Sequence, residues 1–424
     1  MKRHCIKQRA QQGIALLMTV FILLIFGSIV FFSVFNGANN KIEREQSTFL
    51  VLAEAKAALL AYAASVNLYH PGCAANCRRP GDLPCPDTNN DGVAEVSCGN
   101  ASGTTGQSSR LGRLPWKTLG LGDLRDANGD RLWYAVSNRF KQNSRAFPLN
   151  SDTLGTITVK DSAGNVMQDA TGSSGAVAVI ISVGMPITRQ DTIVQSRILA
   201  NENNAAHYLD NAWGEDNANF VDSGANGFIK DRVNDVTGTA ILNDQLIVIS
   251  QPDLMNTIAP LIAAKVKNEF LTYKLANTVY PSPASFSDVA CLGIATIGAG
   301  ACLPNAAISG GRIPVNPVPN WLATSILLGT SNNNWFQQNG WREHIYYAHG
   351  ALMLNGALTP GTKELIVIAT GPAIGAQTRA SNMNKTLELN YLEQENQTPL
   401  DNRYNRLPMI QHTHSFNDFP ISVP

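Results

Sequence analysis

Charged side chains are scarce in this sequence, since Asp, Glu, Lys and Arg make up only 15% of its 424 residues. The two signs balance, with 32 Lys and Arg against 32 Asp and Glu. Proteins that bind nucleic acid carry a basic patch or stripe, and no surplus of positive charge is present to form one. The composition therefore predicts no nucleic-acid partner. The many Gly, Asn, Ser and Thr residues are typical of a secreted, loop-rich, partly β protein.

Motifs of the common enzyme classes are missing as well. The chain has no G-x-S-x-G elbow, no H-E-x-x-H pair and no Gly-rich phosphate loop followed by Lys and Ser or Thr. None of its seven histidines has an obvious Cys, Ser or carboxylate partner by spacing. The sequence therefore predicts that the protein is not an enzyme.

One long stretch lacks charge altogether. Residues 14–35 are uncharged and mostly apolar, and as a helix they extend about 33 Å, enough to cross the hydrocarbon core of a bilayer. Basic residues precede this stretch, so the positive-inside rule keeps the leader in the cytoplasm and places everything after Phe35 outside. A cleavable secretory signal would have a shorter apolar region that ends in a small-residue site. Here the small residue, Gly13, comes first.

The order of basic leader, Gly13, an ALL-type start and a long apolar helix resembles the type IV pilin and type II secretion pseudopilin superfamily. The resemblance implies that a prepilin peptidase cuts between Gly13 and Ile14 and that the new amine is methylated. It implies a single-pass protein of the inner membrane, whose C-terminal part lies in the periplasm or on an extracellular filament. Its partners would be other pilins or pseudopilins, contacted through the N-terminal helix. The rival interpretation is an ordinary signal anchor that happens to follow a Gly.

Most pilins carry Glu as the fifth mature residue, where it pairs with the amine of a neighbouring subunit, but this sequence has Met18 there. A carboxylate inside a bilayer is costly unless it is paired. Its absence favours a subunit that need not sit beneath another amine, as in the K-type minor pseudopilin. The favoured function is a minor pilin or pseudopilin-like assembly subunit of a type IV pilus or type II secretion filament, at a tip or initiating position. The alternative is a membrane-anchored periplasmic binding protein or hydrolase.

After the apolar stretch, residues 41–67 carry Phe49, Leu52, Leu59 and other apolar residues at three- and four-residue steps. This spacing predicts an amphipathic helix covered by a globular head.

The rest of the chain repeats itself in order, and chance does not readily supply seven matched segments. The matches are 56–71 with 267–281, the following cysteine pairs, 112–115 with 311–314, 128–129 with 339–340, 176–184 with 363–371, 207–210 with 390–393, and 243–250 with 417–422. Each copy reads as a helix followed by a mostly antiparallel sheet, which is the layout of pilin heads. We therefore predict an α+β protein with a leader at 1–13, a transmembrane helix at 14–35, an amphipathic helix and first pilin-like module at 36–250, and a second pilin-like module at 251–424.

Two dipeptides, Asn128-Gly129 and Asn339-Gly340, predict tight hairpins, since both central residues of the favoured turn need positive φ. The runs 177–183, 246–249 and 365–368 are short, rich in β-branched residues and bounded by turn residues. These features are typical of buried strands.

Residues 87–95 resemble the first half of a calcium loop, with oxygen ligands at alternate positions and Gly92 at the sixth place for the sharp turn. The twelfth place, where a bidentate Glu belongs, is Cys98. The alternative is a plain Asx-rich turn. The calcium ligands would be Asp87, Asn89, Asp91, the carbonyl of Val93, and Glu95.

Six cysteines follow the apolar stretch, an even number that indicates disulfides in an oxidising compartment. A zinc site made of four thiolates is the alternative for the first four. If the two modules share a fold, each cysteine pair closes its own loop. The predicted bonds are then Cys85 to Cys98, Cys291 to Cys302 and Cys73 to Cys77.

Overall fold

The computed structural model describes residues 43–66, 78–99, 110–143, 147–293, 301–328, 334–356, 361–397, 401–407 and 416–423. The predicted leader at 1–13 and transmembrane helix at 14–35 lie outside these residues. The chain divides into two compact units, Met1–Val51 and Leu52–Pro424. Helices and mostly antiparallel sheets make up the described residues, so the predicted α+β class is confirmed.

The elements have the following bounds. The helices are α1 (Glu43–Ala64), α2 (Gln251–Asn277), α3 (Trp335–Gln338) and α4 (Asn382–Lys385). The strands before α2 are β1 (Leu111–Arg113), β2 (Trp133–Val136), β3 (Val159–Lys160), β4 (Val166–Gln168), β5 (Ala178–Ser182), β6 (Asn211–Ala212), β7 (Glu215–Asp216), β8 (Phe228–Ile229), β9 (Val233–Asn234), β10 (Ala240–Leu242) and β11 (Gln245–Ile249). The strands after it are β12 (Gly310–Arg312), β13 (Ile345–Asn355), β14 (Thr362–Ala369), β15 (Arg403–Asn405) and β16 (Phe419–Val423). Short 3-10 helices lie at Leu199–Asn201, Ala205–His207, Val289–Cys291, Trp341–His344, Glu388–Asn390 and Gln394–Gln397.

Helix α1 occupies most of the amphipathic segment predicted at 41–67. Its residues Leu52, Ala55, Leu59 and Ala63 are at most 4% exposed and recur at three- and four-residue steps, as in a helix with one buried face. The prediction was wrong for Phe49, which is 62% exposed. Among the described residues, α1 is the helix long and apolar enough to cross a membrane, a test that a core helix also passes.

The first sheet contains β1, β2, β5 and β11 in that order, and every pairing is antiparallel. Gly112 pairs with Tyr134, and Tyr134 pairs with Ile180. The central strand β5 is buried throughout, which explains its β-branched composition. Smaller pairings join β4, β3 and β8, then β6 and β7, and then β9 and β10.

The second sheet contains β12, β13, β14 and β16 in that order, again with antiparallel pairings, and β15 adds to β13 in parallel. Gly311 pairs with Tyr347, and Tyr347 pairs with Val367. The two sheets therefore share strand order, and the sequence matches of Gly112 with Gly311, Tyr134 with Tyr347 and Ile180 with Val367 take equal places in the two registers.

Helix α2 precedes the second sheet and packs on β14 and β16. It begins at a capping box, in which Ser250 and Asp253 exchange hydrogen bonds between side chain and backbone. It ends at Thr278, which adopts the left-handed conformation with φ of 66°. Its buried face carries Ile258, Ile262 and seven other apolar or aromatic residues.

Two matched glycines permit the same close approach of the backbone. A Cβ atom at Gly112 would lie 2.6 Å from the carbonyl oxygen of Asp87, and one at Gly311 would lie 2.2 Å from that of Ala284. Asp87 and Ala284 each bridge to the edge strand of their sheet. A side chain at either glycine would break this bridge, because real Cβ atoms do not come so near a backbone oxygen.

The strand register corrects one match made from sequence. Ile247 pairs with Ile180 in the first sheet, and Ile421 pairs with Val367 in the second. Ile421 therefore corresponds to Ile247, and the sequence comparison was wrong to match it with Ile249. A strand has a period of two, so both choices put an apolar residue on the same face, and the sequence could not separate them.

A second match also shifts. The hydroxyl of Tyr134 donates to the carbonyl oxygen of Pro84 at 3.1 Å, and the hydroxyl of Tyr347 donates to that of Pro281 at 2.9 Å. Pro281 therefore corresponds to Pro84. The sequence comparison had matched Pro281 with Pro71, which lies outside the described residues.

A hairpin lies at Asn128-Gly129, but the predicted tight two-residue turn was wrong, since the three residues 127–129 separate Asp126 from Asp130 and the N–H of Asp126 donates to the carbonyl of Asp130 at 2.9 Å. Gly129 has φ of 85°, and its N–H donates to the carbonyl of Asp126 at 2.9 Å. The turn joins Arg125 to Arg131, which form an antiparallel bridge. Asn128 does not adopt positive φ, so the turn needs the special conformation at one position only.

The hairpin predicted at Asn339-Gly340 was wrong. Asn339 caps the end of α3 with φ of −103°, and its side-chain amide donates to the carbonyl of Trp335 at 2.7 Å. Gly340 has φ of 70° and leads directly into the next 3-10 helix. The dipeptide stops a helix here, because Asn and Gly suit helix ends as well as hairpins.

Disulfides join Cys85 to Cys98 and Cys291 to Cys302, the two pairings expected from the repeat. The first bond excludes a zinc site of four thiolates. The reasoning behind the pairing was only partly right. Cys85 precedes Asp87, which bridges to β1, whereas Cys291 follows Ala284, which bridges to β12. The cysteines close separate local loops without occupying equal places. Cys73 and Cys77 lie outside the described residues.

Candidate functional sites

The predicted calcium loop at 87–95 folds as a series of Asx turns. Asp87 is buried, and its carboxylate accepts from the backbone N–H groups of Asn89 and Asp91, both at 3.2 Å, and of Gly92 at 2.7 Å. Burial raises the pKa of Asp87 despite these hydrogen bonds. The N-terminal part of the loop therefore holds its first carboxylate in place through its own backbone.

The later ligands of the loop turn toward protein donors. Asp91 accepts from the N–H of Val93 at 2.7 Å. Glu95 accepts from the N–H and the hydroxyl of Thr88, at 3.2 and 2.7 Å. Among the described residues, the loop carboxylates do not form a group of three ligand atoms within 4.8 Å of one another. The structure thus shows the Asx-rich turn, and calcium binding stays a prediction.

If the loop binds calcium through the five predicted ligands, the ion stabilises the folded protein by mass action, by about 2.7 kcal/mol at a hundredfold excess over Kd. We expect the thermal midpoint of the full chain in detergent to be higher in calcium than in chelator. Asp91→Asn keeps the turn-forming oxygen but removes one negative charge. It should therefore reduce the increase of the thermal midpoint that calcium produces. Asp161→Asn, in another exposed Asx turn, is the matched control. Equal midpoints in calcium and chelator contradict the prediction.

A second candidate site is a cleft of about 350 Å³ within the unit Leu52–Pro424. We call residues 52–250 the first half of this unit and residues 251–424 its second half, and both halves line the cleft. The first half contributes residues between β2 and β3. The second half contributes residues beside the 3-10 helix Val289–Cys291, residues at the 3-10 helix Trp341–His344 and a residue of α4. The lining consists of Arg139, Phe147, Pro148, Asn150, Asp152, Thr153, Gly293, Gly340, Glu343, His344 and Lys385.

An acid and a base face each other in this cleft. His344 is 1% exposed, with Nε2 at 3.8 Å from Asp152 Oδ2. Nδ1 of His344 has no hydrogen-bond partner among the described residues. Burial lowers the pKa of His344 to about 4, although Asp152 and Glu343 oppose the shift. The imidazole is therefore neutral at pH 7.

Glu343 is held by several donors. It accepts from the hydroxyl of Tyr391 at 2.6 Å, from Lys385 at 2.7 Å and from the N–H of Gly293 at 3.1 Å. Burial raises its pKa, but His344, Lys385 and Tyr391 together outweigh burial and bring the pKa to about 2. Glu343 is thus ionised and paired across the usual pH range.

Asp152, Glu343 and His344 have ligand atoms within 4.8 Å of one another, a grouping that could hold a metal ion. Both carboxylates already pair with cations, however, since Arg379 lies 2.7 Å from Asp152 and Lys385 lies 2.7 Å from Glu343. A divalent ion would have to compete with these positive groups, so the electrostatics of the cleft disfavour it.

The cleft also lacks an activated nucleophile among its described lining residues. Thr153 carries the one hydroxyl there, and this hydroxyl donates to the carbonyl of Pro148 at 3.2 Å rather than to His344. Nucleophilic catalysis needs a hydroxyl or thiol within hydrogen-bond reach of a base. Among its described lining residues, the cleft is therefore a polar one without a hydroxyl paired to His344.

Sequence reasoning missed this cleft. Asp152 lies far along the chain from Glu343 and His344, and no spacing rule joins residues so far apart. The one local signal was the adjacent acid and base at 343–344. Conversely, the predicted processing residues Gly13 and Ile14 lie outside the described residues.

Comparison of the chain with protein-family models, with curated proteins and with solved structures gives no match in any of the three.

Proposed function

We propose that this protein is a minor pilin-like or pseudopilin-like assembly subunit, cut by a prepilin peptidase and anchored in the inner membrane by residues 14–35. Its C-terminal part would lie in the periplasm or on an extracellular filament. The observation that carries the proposal is the Gly13-led apolar stretch followed by a helix and an antiparallel sheet, which is the layout of pilin heads.

We further propose that the head consists of two tandem pilin-like modules at 36–250 and 251–424. The support is the equal strand order of the two sheets and the equal register at the matched pairs Gly112–Tyr134 and Gly311–Tyr347. Each sheet also follows a helix, α1 or α2. Two unrelated folds would share strand order, register and a close-approach glycine only by coincidence.

Helix α1 offers a surface for neighbouring subunits. Phe49 and Leu50 are adjacent and are 62% and 67% exposed. Adjacent large apolar residues on a helix surface are suited to packing against other helices. Assembly through the N-terminal helix would cover these side chains.

The test is processing in a host that expresses a prepilin peptidase. We expect the mature chain to begin at Ile14, with the 13 leader residues removed and one methyl group added. Gly13→Val should abolish the cut, because a β-branched side chain would occupy the place where the peptidase accepts only the smallest residue. Gly27→Val, within the same apolar stretch, is the matched control and should be processed normally. Intact mass spectrometry measures all three.

An unchanged mass in the presence of active peptidase would overturn the proposal. The apolar stretch would then be an ordinary signal anchor, and the protein a membrane-anchored periplasmic binding protein or hydrolase.

A further inference from the structure

Four arginines surround a cavity of about 290 Å³ in the first half of the unit Leu52–Pro424. We call it the arginine pocket. It lies beside the edge strand β1 and the turn that follows residue 125. Its lining consists of Asn90, Arg113, Arg125, Asp130, Arg131, Arg197, Ile198, Leu199, Glu202 and Tyr208.

Arg113 forms the buried wall of the arginine pocket. It is 4% exposed, and its guanidinium lies 4.3 Å from the ring centre of Trp133 and 4.0 Å from that of Tyr208. Two of its nitrogens donate to the carbonyls of Arg131 and Glu202, at 3.0 and 3.1 Å. Its Nε is buried and has no acceptor among the described residues.

Other unpartnered groups near the pocket are donors as well. Nε of Arg197 is buried without an acceptor, although the same guanidinium pairs with Asp130 and donates to the carbonyl of Gly184 at 2.5 Å. The buried indole N–H of Trp133 is likewise unpartnered, and Trp133 lines an adjoining cavity that shares Leu199 and Glu202 with the pocket. A buried donor without an acceptor is costly.

Each acidic group of the pocket has a partner, and the buried atoms of its described lining without one are the two Nε donors of Arg113 and Arg197. Asp130 pairs with Arg197, and Glu202 accepts from the side-chain amide of Asn90 at 3.3 Å. The unmet need of the described lining is therefore for acceptors only. A ligand that supplies negatively charged oxygens meets this need.

The matched arginine of the second sheet, Arg312, has an acceptor for each of its three side-chain nitrogens. Arg312 donates through Nε to the carbonyl of Phe286 at 3.1 Å and through its other nitrogens to the carbonyls of Glu343 and Lys385, at 2.8 and 2.5 Å. Its guanidinium stacks on the rings of Phe286 and Tyr391, as the guanidinium of Arg113 stacks on those of Trp133 and Tyr208. The protein thus has two matched arginines, and the one with an unpaired Nε lines the arginine pocket.

From this geometry we propose that the arginine pocket binds an oxyanion, a carboxylate or a phosphate group, through the Nε donors of Arg113 and Arg197. Arginine suits such a ligand because its fixed fork of donors matches the oxygens of both groups. Aromatic stacking and the carbonyl contacts hold the guanidinium of Arg113 in place, so little side-chain freedom is lost on binding.

The test is a titration of the full chain in detergent with inorganic phosphate or with citrate, at constant ionic strength. The thermal midpoint of unfolding is measured at each concentration. We expect a saturable rise with at least one of the two and no rise with sodium chloride. The two probes separate phosphate from carboxylate recognition. Absence of a saturable rise with both would overturn the proposal.

Substitution by lysine tests the assigned atoms, because lysine keeps the charge but has no Nε donor. We expect Arg113→Lys and Arg197→Lys each to weaken binding about 10- to 100-fold, the loss typical of a hydrogen bond to a charged group. Arg232→Lys is the matched control, since Arg232 is exposed and does not line the arginine pocket. Arg197→Lys keeps the test valid if Arg113→Lys fails to fold. Equal affinity in wild type and Arg197→Lys would overturn the proposal.

Discussion

Replacement of Arg79 by Ala is expected to destabilise the folded protein by about 3–5 kcal/mol, the cost of removing one partner of a buried ion pair. Arg79 is 5% exposed and Asp82 is fully buried. Nε of Arg79 lies 2.8 Å from Asp82, and the N–H of Arg79 donates to the same carboxylate at 2.8 Å. Without the guanidinium, the Asp82 carboxylate loses its nearest positive charge in a place that water does not reach.

The same guanidinium also joins the two halves of the unit Leu52–Pro424. It donates to the carbonyls of Phe147 and Arg139, at 2.5 and 3.0 Å, and to the side chain of Asn339 at 2.8 Å. Asn339 in turn accepts from the N–H of Leu149 at 2.9 Å. Arg79→Ala therefore removes both a charge pair and hydrogen bonds between sequence-distant segments.

The measurement is chemical unfolding of the full chain in detergent, compared by the denaturant midpoint at equal slope. The matched control is Arg125→Ala, which breaks a surface pair with Asp123 whose side chains are 48% and 32% exposed. Surface pairs contribute less than about 1 kcal/mol. The double variant Arg79→Met with Asp82→Leu should be less destabilised than Arg79→Ala, since it leaves no unpaired charge. Equal midpoint shifts for Arg79→Ala and Arg125→Ala would show that the buried pair has no special role.

A decrease of stability with rising pH is the second large effect that we expect. Two pairs of buried carboxyl groups lie at matched places. In the first half, Asp244 accepts from the N–H of Asp210 at 2.8 Å, and Asp210 accepts from the N–H of Asn243 at 2.7 Å. Asp244 is fully buried, and burial together with the nearby Asp210 raises its pKa well above the usual range.

The second half repeats this arrangement. Asp418 accepts from the N–H of Glu393 at 3.0 Å, and Glu393 accepts from the N–H of Asn417 at 3.2 Å. Burial, together with the nearby Glu393, raises the pKa of Asp418 well above its usual range. Burial also raises the pKa of Asp210 and of Glu393, against the opposing charges of Arg189 and Arg379.

The sign follows from proton binding in the two states. An unfolded Asp loses its proton near pH 4, whereas these carboxyl groups keep theirs in the folded state to higher pH. The folded protein therefore binds more protons, and its stability falls as pH rises through the raised pKa values. Within that window, each group lowers the free energy of unfolding by about 1.4 kcal/mol for each unit by which pH rises. Below pH 4 the contribution is fully present.

Asp244→Asn and Asp418→Asn should each flatten this pH dependence, because an amide cannot ionise but its oxygen can still accept the same N–H. Unfolding free energies measured between pH 5 and 8 test this. The control is Asp161→Asn, an exposed carboxyl whose pKa is lowered by the side chain of Asn165, so that its contribution changes only at lower pH. Parallel pH curves for wild type, Asp244→Asn and Asp418→Asn would contradict the prediction.

Much of the local structure could be predicted because burial leaves a periodic trace in the sequence. The steps of Leu52, Leu59 and Ala63 indicated helix α1, and the β-branched run around Ile180 indicated the central strand of the first sheet. Turn chemistry was less reliable. Asn128-Gly129 and Asn339-Gly340 are the same dipeptide, yet one forms a hairpin and the other ends a helix, because the elements on either side decide which conformation the glycine serves.

The candidate sites could not be predicted in the same way. The cleft at Asp152 and His344 depends on how the second half packs on the first, and periodicity within a segment carries no information about that packing.

The sequence by itself indicated that the two strands at Tyr134 and Tyr347 correspond, because matched buried positions keep similar side chains. It also matched Asp210 with Glu393 and Asp244 with Asp418. Only the tertiary structure decided that Asp210 contacts Asp244 and that Glu393 contacts Asp418, since contact between distant segments depends on the path of the chain in space. The shifted pKa of Asp244 arises from that contact and from burial, and neither is written in the order of the residues.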